Sequence, residues 1–455
     1  MRVLLINASS IHEKMPSKLQ SLENSNYIKY IRKITKSVVK YLNITDTNYI
    51  AYTSTYYANY GLLMLSTLIK KEGYEVKYIA GDWFDTEESF FKECLQEAKY
   101  SDILLFSSTT PQFDQVKRLN KYIKTNNINT VSMLGGPHTI IFKYEEFDEE
   151  FDFIFSGYDL RKVITVLNSI EKGENFSERF IIGNEYYDCE KDFDIIPNRY
   201  INDTILYSYL SFGCPNSCAY CVEHKLSNNR VIQLDIAKKI QEIAILVNKY
   251  NIKIVHLADS DFFINSDIAM EFLEQFEKSG VKCCFSINAS PTSIAGPNSV
   301  NIIKRFVKNG LVELLIGVEH FSETVLQFVN KKYDFVSFYN NLMKVRNDVK
   351  ELIVTFYTLV GLPGETINTI QENVNKLSEY KKKDLFDFTF PNFFVPFPGT
   401  DIYMNPERYG SKILHKEWKH FHRYRVPRNI EINGLTDEDF IQEIKDIYNL
   451  GLNIK

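Results

Sequence analysis

Three of the chain's seven cysteines, Cys214, Cys218 and Cys221, lie in one stretch, Ser211-Phe-Gly-Cys-Pro-Asn-Ser-Cys-Ala-Tyr-Cys221, spaced C-x3-C-x2-C. Three thiolates on so short a loop can hold an iron–sulfur cubane by three of its irons and leave the fourth without a protein ligand, where a fourth cysteine would close the site. An open iron is a place to bind and activate a ligand. The same cysteines with His224 could instead hold a structural zinc, or the three could hold a cluster that only carries electrons. Zinc ligands pair more often as C-x2-C or C-x4-C, and no second pair stands elsewhere in the chain. Structural disulfides are disfavoured because nothing marks the chain as exported.

The loop follows an apolar run, Ile205–Leu210, which reads as a buried strand and puts the cysteines at its C-terminal end. Active sites of α/β barrels lie there. A C-x3-C-x-Tyr-C array after a first barrel strand resembles the radical S-adenosylmethionine (SAM) enzymes. In that family SAM chelates the open iron of a 4Fe-4S cluster, and one-electron reduction cleaves it to a 5′-deoxyadenosyl radical. The resemblance also implies an electron donor of the flavodoxin or ferredoxin type, and it places Tyr220 beside the cluster and the adenine.

Later strand ends carry further matches. Glu319, in Gly317-Val-Glu-His320, stands where the family has a polar group for the ribose hydroxyls, and a carboxylate accepts strongly from a diol. A solvated acid at a helix start before Ser322 is the alternative. Val360-Gly-Leu-Pro-Gly-Glu-Thr366 is similar to the family's Gly-x-Pro-Gly-Glu-Thr turn, which brings Gly361 and Leu362 to the adenine; Thr366 can equally cap the next helix. Asp259 and Asp261 stand where the family binds the SAM amino group. Ser286 and Asn288, ending the third strand, complete the expected SAM set, without the arginine that many relatives carry near Ser290. Pro-Gly-Thr400 resembles the turn after the sixth strand.

The 455 residues suit two or three domains, and 44% hydrophobic with 24% charged residues is ordinary for a globular protein. A net charge of −5 gives no footprint for nucleic acid, so a small molecule or a peptide is the expected substrate. No apolar run is long enough to span a membrane, and the opening residues read as a strand rather than a signal peptide. A cytoplasmic location, where thiolates survive to bind iron, is expected.

Residues 1–172 alternate strand-like and helix-like segments, with strands over Arg2–Asn7, Glu75–Ala80, Asp102–Ser107, Thr130–Leu134 and Asp152–Phe155. That alternation predicts a doubly wound, Rossmann-like parallel sheet. Ligands of such sheets bind outside the carboxyl ends of the strands. There stand Ser107, Ser108, Thr110, Gly135, Gly136, His138 and Gly157. Their order resembles the cobalamin-binding domain that precedes the barrel in one radical SAM class, and these residues are the candidates for cobalamin; tight turns without a ligand are the alternative. No Asp-x-His-x-x-Gly motif for ligating cobalt is present. Residues 8–56 form a polar, Lys- and Tyr-rich insert, expected on the ligand side of the sheet, where it could cover cobalamin or occupy its place.

Residues 173–203 read as a linker, and 204–405 as the catalytic core. The core's later strands are Ile252–Ala258, Lys282–Ile287, Val312–Gly317, Ile353–Val360 and Phe386–Val395. With the cysteine-bearing strand these make six strand–helix units, the partial (β/α)6 TIM-like barrel that the resemblance implies. Residues 406–455 form a small helical tail. Its run His415–Arg425 reads as a solvated basic face packed by Trp418 and Tyr424, or else as a cover for substrate. Cys94, Cys189, Cys283 and Cys284 read as structural thiols. The function expected is radical SAM chemistry, with cobalamin-dependent methylation of an unactivated carbon if cobalamin binds and a rearrangement or cyclisation if it does not.

Overall fold

The computed structural model describes residues 1–8, 17–45, 59–422 and 428–452, apart from 127, 129, 143–146, 148–149, 175, 202–204 and 433. Within these, the chain forms two compact units: one of residues 1–8, 59–200 and 416–422, and another of 17–45, 201–415 and 428–452.

The first unit is built on strands β1 (Arg2–Asn7), β2 (Glu75–Ala80), β3 (Ile103–Ser107), β4 (Val131–Gly135), β5 (Phe153–Gly157) and β6 (Phe180–Gly183). They form one parallel sheet in the order β2-β1-β3-β4-β5-β6. Parallel strands are covered on both faces, which is why they are continuous apolar runs: every residue of β3 is buried. The order doubles back at β1, so the switch point lies between β1 and β3. The sixth strand falls in the stretch expected to be a linker. Its four residues, Phe-Ile-Ile-Gly, are too few to show a period, and the sheet edge beside β5 recruits them.

The second unit begins with β7 (Leu206–Ser208) and an antiparallel pair, β8 (Ser211–Phe212) and β9 (Ile232–Gln233). Then come β10 (Ile254–Leu257), β11 (Cys284–Ala289), β12 (Leu311–Glu319), β13 (Ile353–Val360) and β14 (Phe388–Phe393). Six parallel strands run in the linear order β14-β13-β12-β11-β10-β7, the partial barrel expected. A small antiparallel pair, β15 (Ser411–Ile413) and β16 (Ile430–Ile432), and the helix Asp437–Leu452 complete it.

Of the insert, residues 9–16 and 46–56 lie outside the described residues. Residues Ser17–Leu42 form one long helix that belongs to the second unit. Its residues Tyr30, Ile34 and Val38, spaced four apart, pack with Ile205, Ile254, Cys284, Val312, Ile353 and Phe388, which stand at or beside the first residues of the barrel strands. The helix therefore closes the N-terminal end of the barrel, opposite the cysteine loop. Tyr30 lies edge-on to Phe388 and Phe390, with ring centroids 5.4 and 5.3 Å away. Its hydroxyl donates to Glu313 at 3.0 Å, and Lys33 pairs with Asp387. A buried carboxylate is costly unless it is hydrogen-bonded. Glu313 also accepts from Ser286 Oγ at 2.7 Å and Thr355 Oγ1 at 3.0 Å, so a satisfied polar layer lies above the helix.

Candidate functional site

The cysteine loop leaves β8 through Gly213, at φ 89°. A Cβ there would stand 2.0 Å from the Arg230 carbonyl oxygen, so only glycine lets the loop lie against the returning chain. Further on, Ala219 donates to the Val329 carbonyl at 2.9 Å and accepts from Ile402 at 3.2 Å, while Asn330 Nδ2 reaches the Ser217 carbonyl at 2.9 Å. The loop is thus clipped to the segments after β12 and β14.

Burial raises the pKa of all three thiols, Cys221 to about 12, and the sulfurs sit close enough to raise one another. All three are free thiols. Three thiols on one loop suit a cubane, which takes each on a different iron and leaves the fourth open, whereas a structural zinc takes a fourth protein ligand.

Beside the loop, β12 ends irregularly: its register with β13 shifts between Gly317 and Glu319, and Glu319 takes φ 63°. A non-glycine residue in this left-handed region costs on the order of 1 kcal/mol and clusters at functional sites. The conformation turns the carboxylate back over Gly317, where a Cβ would meet Oε1 at 2.8 Å. Lys331 fixes it there. Its Nζ lies 3.2 Å from Glu319 Oε1, donates to the Gly317 carbonyl at 2.7 Å, and stands 6.0 Å from the Tyr220 ring centroid. The same ammonium favours the charged forms of Cys218 and Asp261. Burial pushes the Tyr220 hydroxyl well above its ordinary pKa, and that hydroxyl bonds Cys218. Glu319 is therefore not a solvated helix-start acid. Lys331 was missed in the sequence, where its one cue is a cation soon after a strand-end carboxylate.

The structure spends Asp259 and Asp261 differently from an open ammonium site. Asp259 accepts from Leu210 N at 3.0 Å, Ser211 N at 2.6 Å and Ser211 Oγ at 2.7 Å, which fixes the entry to the cysteine loop. Asp261 accepts from Ser290 N at 3.2 Å, Ser290 Oγ at 2.6 Å and Ser293 Oγ at 2.7 Å. Burial raises both carboxyls and these donors oppose it. Ser286, buried one layer down, is bound to Glu313 and His256 instead of facing the mouth. Asn288, two residues on along the same face, is half-buried at the strand's end.

Gly361 and Leu362 form a turn around Glu365, which is fully buried. Glu365 Oε1 accepts from Gly361 N at 3.0 Å and Leu362 N at 2.8 Å. Thr366 caps the following helix by accepting from Thr369 N at 3.2 Å. Leu362 packs with Ala219 of the cysteine loop.

In the first unit the structure gathers the residues considered for cobalamin at the ends of β3, β4 and β5, and it uses most of them on one another. Ser108 N donates to the Gly135 carbonyl at 3.0 Å and its carbonyl accepts from His138 N at 3.1 Å. Cβ atoms on Gly136 and Gly157 would stand 2.7 Å from Ser108 and 2.0 Å from Gly183, both backbone atoms. His138 is only 1% exposed; burial pushes it down to about 3, and its Nδ1 lies 3.2 Å from Thr110 Oγ1. Trp418, expected to pack beneath a basic face, lies 5.3 Å from His138 and 4.5 Å from Phe142, ring to ring; Tyr424 lies outside the described residues. Asn7 and Asn59, which the sequence did not single out, join Ser107 in a polar set at the switch point itself. Asn59 Nδ2 donates to Asn7 Oδ1 at 3.0 Å and Ser107 Oγ at 2.9 Å, while its Oδ1 caps the helix Tyr60–Lys71.

Residues 208–377 match the family described as the Radical SAM superfamily, a span that holds the cysteine loop, Glu319, Lys331 and the Gly361 turn. The chain carries a radical SAM domain. That domain implies SAM and a 4Fe-4S cluster, and the three free thiols of one loop fit the cluster.

Relatives extend the likeness beyond this radical SAM domain. A Pyrococcus horikoshii protein named only as an uncharacterised methyltransferase is 23% identical over 75% of this chain and 77% of its own. The anaerobic magnesium-protoporphyrin IX monomethyl ester cyclase of Cereibacter sphaeroides is 24% identical, over 74% of this chain and 58% of the cyclase. Among solved structures, the radical SAM methyltransferase TsrM of Kitasatospora setae, with cobalamin and a [4Fe-4S] cluster bound, superposes with TM-score 0.64 at 14% identity, covering 90% of this chain and 78% of TsrM. The cobalamin-dependent SAM radical enzyme OxsB, with aqua-cobalamin and SAM bound, gives TM-score 0.59 at 17% identity, covering 98% of this chain and 60% of OxsB. These likenesses show a shared fold. Among the described residues no helix is long and apolar enough to cross a membrane.

Proposed function

We propose that this radical SAM enzyme is a cobalamin-dependent methyltransferase acting on an unactivated carbon of a small molecule or peptide. The observation that carries the reading is the pairing, in one chain, of an open three-cysteine loop with a separate switch-point sheet, an architecture shared over 90% of the chain with a structure that holds both cofactors.

When bound, the cluster and SAM supply a 5′-deoxyadenosyl radical that takes a hydrogen atom, and cobalamin supplies the methyl group. The protein's part is binding, orientation and exclusion of water. Cys214, Cys218 and Cys221 hold the cluster. Glu319 accepts from the ribose hydroxyls, and Lys331 holds Glu319 in place while offering the cation that the absent arginine leaves wanting. Gly361 and Leu362 meet the adenine, and Leu362 and Tyr220 wall the site beside the loop. Asp259, Asp261 and Ser286 position these groups from behind. In the first unit, Asn7, Asn59 and Ser107 at the switch point receive cobalamin, and His138 serves as packing rather than as a cobalt ligand.

Anaerobic purification followed by incubation with SAM and dithionite tests both halves. The expected result is a cobalamin spectrum that survives gel filtration, and 5′-deoxyadenosine that the Cys218→Ala variant does not form. A protein that forms 5′-deoxyadenosine but retains no added hydroxocobalamin would be a radical SAM enzyme of another kind.

A further inference from the structure

The chain's last elements reach the cofactor turn through one charged side chain. Arg428 is 5% exposed, and its guanidinium stacks 3.7 Å from the Phe440 ring centroid while Nε donates to Asp437 at 2.9 Å. Its Nη1 has no hydrogen-bond partner. That nitrogen lies 2.6 Å from where a Cβ on Gly361 would stand, directly behind the turn, in a gap left by a glycine at φ 86°. A buried guanidinium nitrogen is costly to leave unpaired unless a charge faces it.

The facing charge is Glu365. Burial pushes its pKa up to about 8, and Arg428 pulls the other way. The remaining groups around it come from two helices. Glu443 on Asp437–Leu452 is a second buried carboxyl, Asp437 is already paired with Arg428, and Asn373 on Ile367–Lys382 donates to Glu443 at 2.8 Å. Glu443 has no cation, and burial with Glu365 nearby raises it well above the usual range. Arg428 and the N–H groups of Gly361 and Leu362 favour the charged form of Glu365, which burial nonetheless holds protonated up to about pH 8. A second link runs beside this one: Ile430 and Ile432 of β16 pack in the same apolar cluster as Leu362 and Ala219.

We propose that Arg428 is a positioning residue for SAM: it is the counter-charge that lets Glu365 hold the Gly361–Leu362 turn, which makes residues 428–452 a working part of the cofactor site. The proposal rests on the radical SAM reading for the identity of the ligand, and on the geometry alone for the coupling of Arg428 to the turn. An ionised carboxylate accepts from backbone N–H groups roughly twice as strongly as a neutral acid. Without the cation Glu365 stays protonated to higher pH, so the turn loosens most above about pH 8, where the wild-type carboxylate is charged.

Hydrogen exchange of the Gly361 and Leu362 amides in the full-length protein reads the coupling directly. For Arg428→Met, protection factors should fall about tenfold relative to wild type near pH 9 and by much less near pH 6.5, with SAM binding to the reconstituted enzyme at the higher pH weakened in parallel. Arg428→Lys should restore most of both. Glu365→Gln, which cannot ionise, should likewise lose protection relative to wild type chiefly near pH 9, and it carries the test if Arg428→Met does not fold. Unchanged protection in Arg428→Met, or a loss equal at both pH values, would overturn the coupling. Looser amides with full SAM affinity would overturn the link to the cofactor. A wild-type protein that binds no SAM would instead refute the function assigned to the site, while the exchange data would still decide the coupling.

Discussion

Lys331 Nζ lies 3.2 Å from Glu319 Oε1 and 2.7 Å from the Gly317 carbonyl oxygen it bonds, so one ammonium ties a left-handed carboxylate to the strand that it ends. The pair is largely buried, and there a charge-assisted bond is worth more than at the surface. Lys331→Met should therefore release Glu319, and weaken SAM binding about tenfold or more, a loss of about 1.4 kcal/mol. Lys331→Arg should keep most of the affinity. Anaerobic titration calorimetry with the cluster oxidised checks both. In a double-mutant cycle, Glu319→Gln should add little to Lys331→Met if the two residues act as one unit.

Gly213 sets where the cysteine loop can lie. Alanine there brings a Cβ to 2.0 Å from the Arg230 carbonyl oxygen and is strained at φ 89°. The loop must move, because carbonyl backbone cannot yield as a flexible side chain does. Gly213→Ala should keep the fold of both sheets, with an unchanged far-ultraviolet spectrum, but reconstitute to well under the roughly four irons per chain of an intact cubane. Iron and sulfide assays after anaerobic reconstitution measure it.

Glu443 should make stability fall as pH rises. Burial and the neighbouring Glu365 hold it protonated well above the usual 4.5. Between that value and its folded pKa, the folded chain keeps a proton that the unfolded chain has released. Stability is therefore greatest below the unfolded value and is lost as pH climbs toward the folded one. Glu443→Gln still accepts from Asn373 and removes this dependence. Its Tm should match wild type near pH 4.5 and exceed it by about 2 °C or more near pH 8, in thermal scans of the two proteins side by side.

Much of this was legible locally. The apolar runs of β1, β3 and β13 announce buried parallel strands. The cysteine spacing and the Gly361 turn are motifs whose chemistry lies within a few residues. The rest depends on contacts distant in the chain. The four-residue spacing of Tyr30, Ile34 and Val38 signals an amphipathic helix, but nothing local says that its apolar face meets the starts of the barrel strands rather than the first sheet. Asp259 and Asp261 look available in the sequence because their donors, Ser211, Ser290 and Ser293, are brought to them by neighbouring strand ends. His138 sits in a glycine-rich turn that suggests a ligand, yet Phe113, Phe142 and the distant Trp418 enclose it. Lys331 and Arg428 belong to no motif, and only folding sets them beside Glu319 and Glu365.

The proposed function requires an iron that the three cysteines leave open to SAM. Electron paramagnetic resonance of the dithionite-reduced, reconstituted protein tests it most directly, recorded with and without SAM. A cluster with an open iron should change its g-values and line shape when SAM is added, and Lys331→Met should need a higher SAM concentration for the same change. A reduced-cluster signal identical in the presence and absence of saturating SAM, or a protein that takes up zinc and gives no such signal, would contradict it.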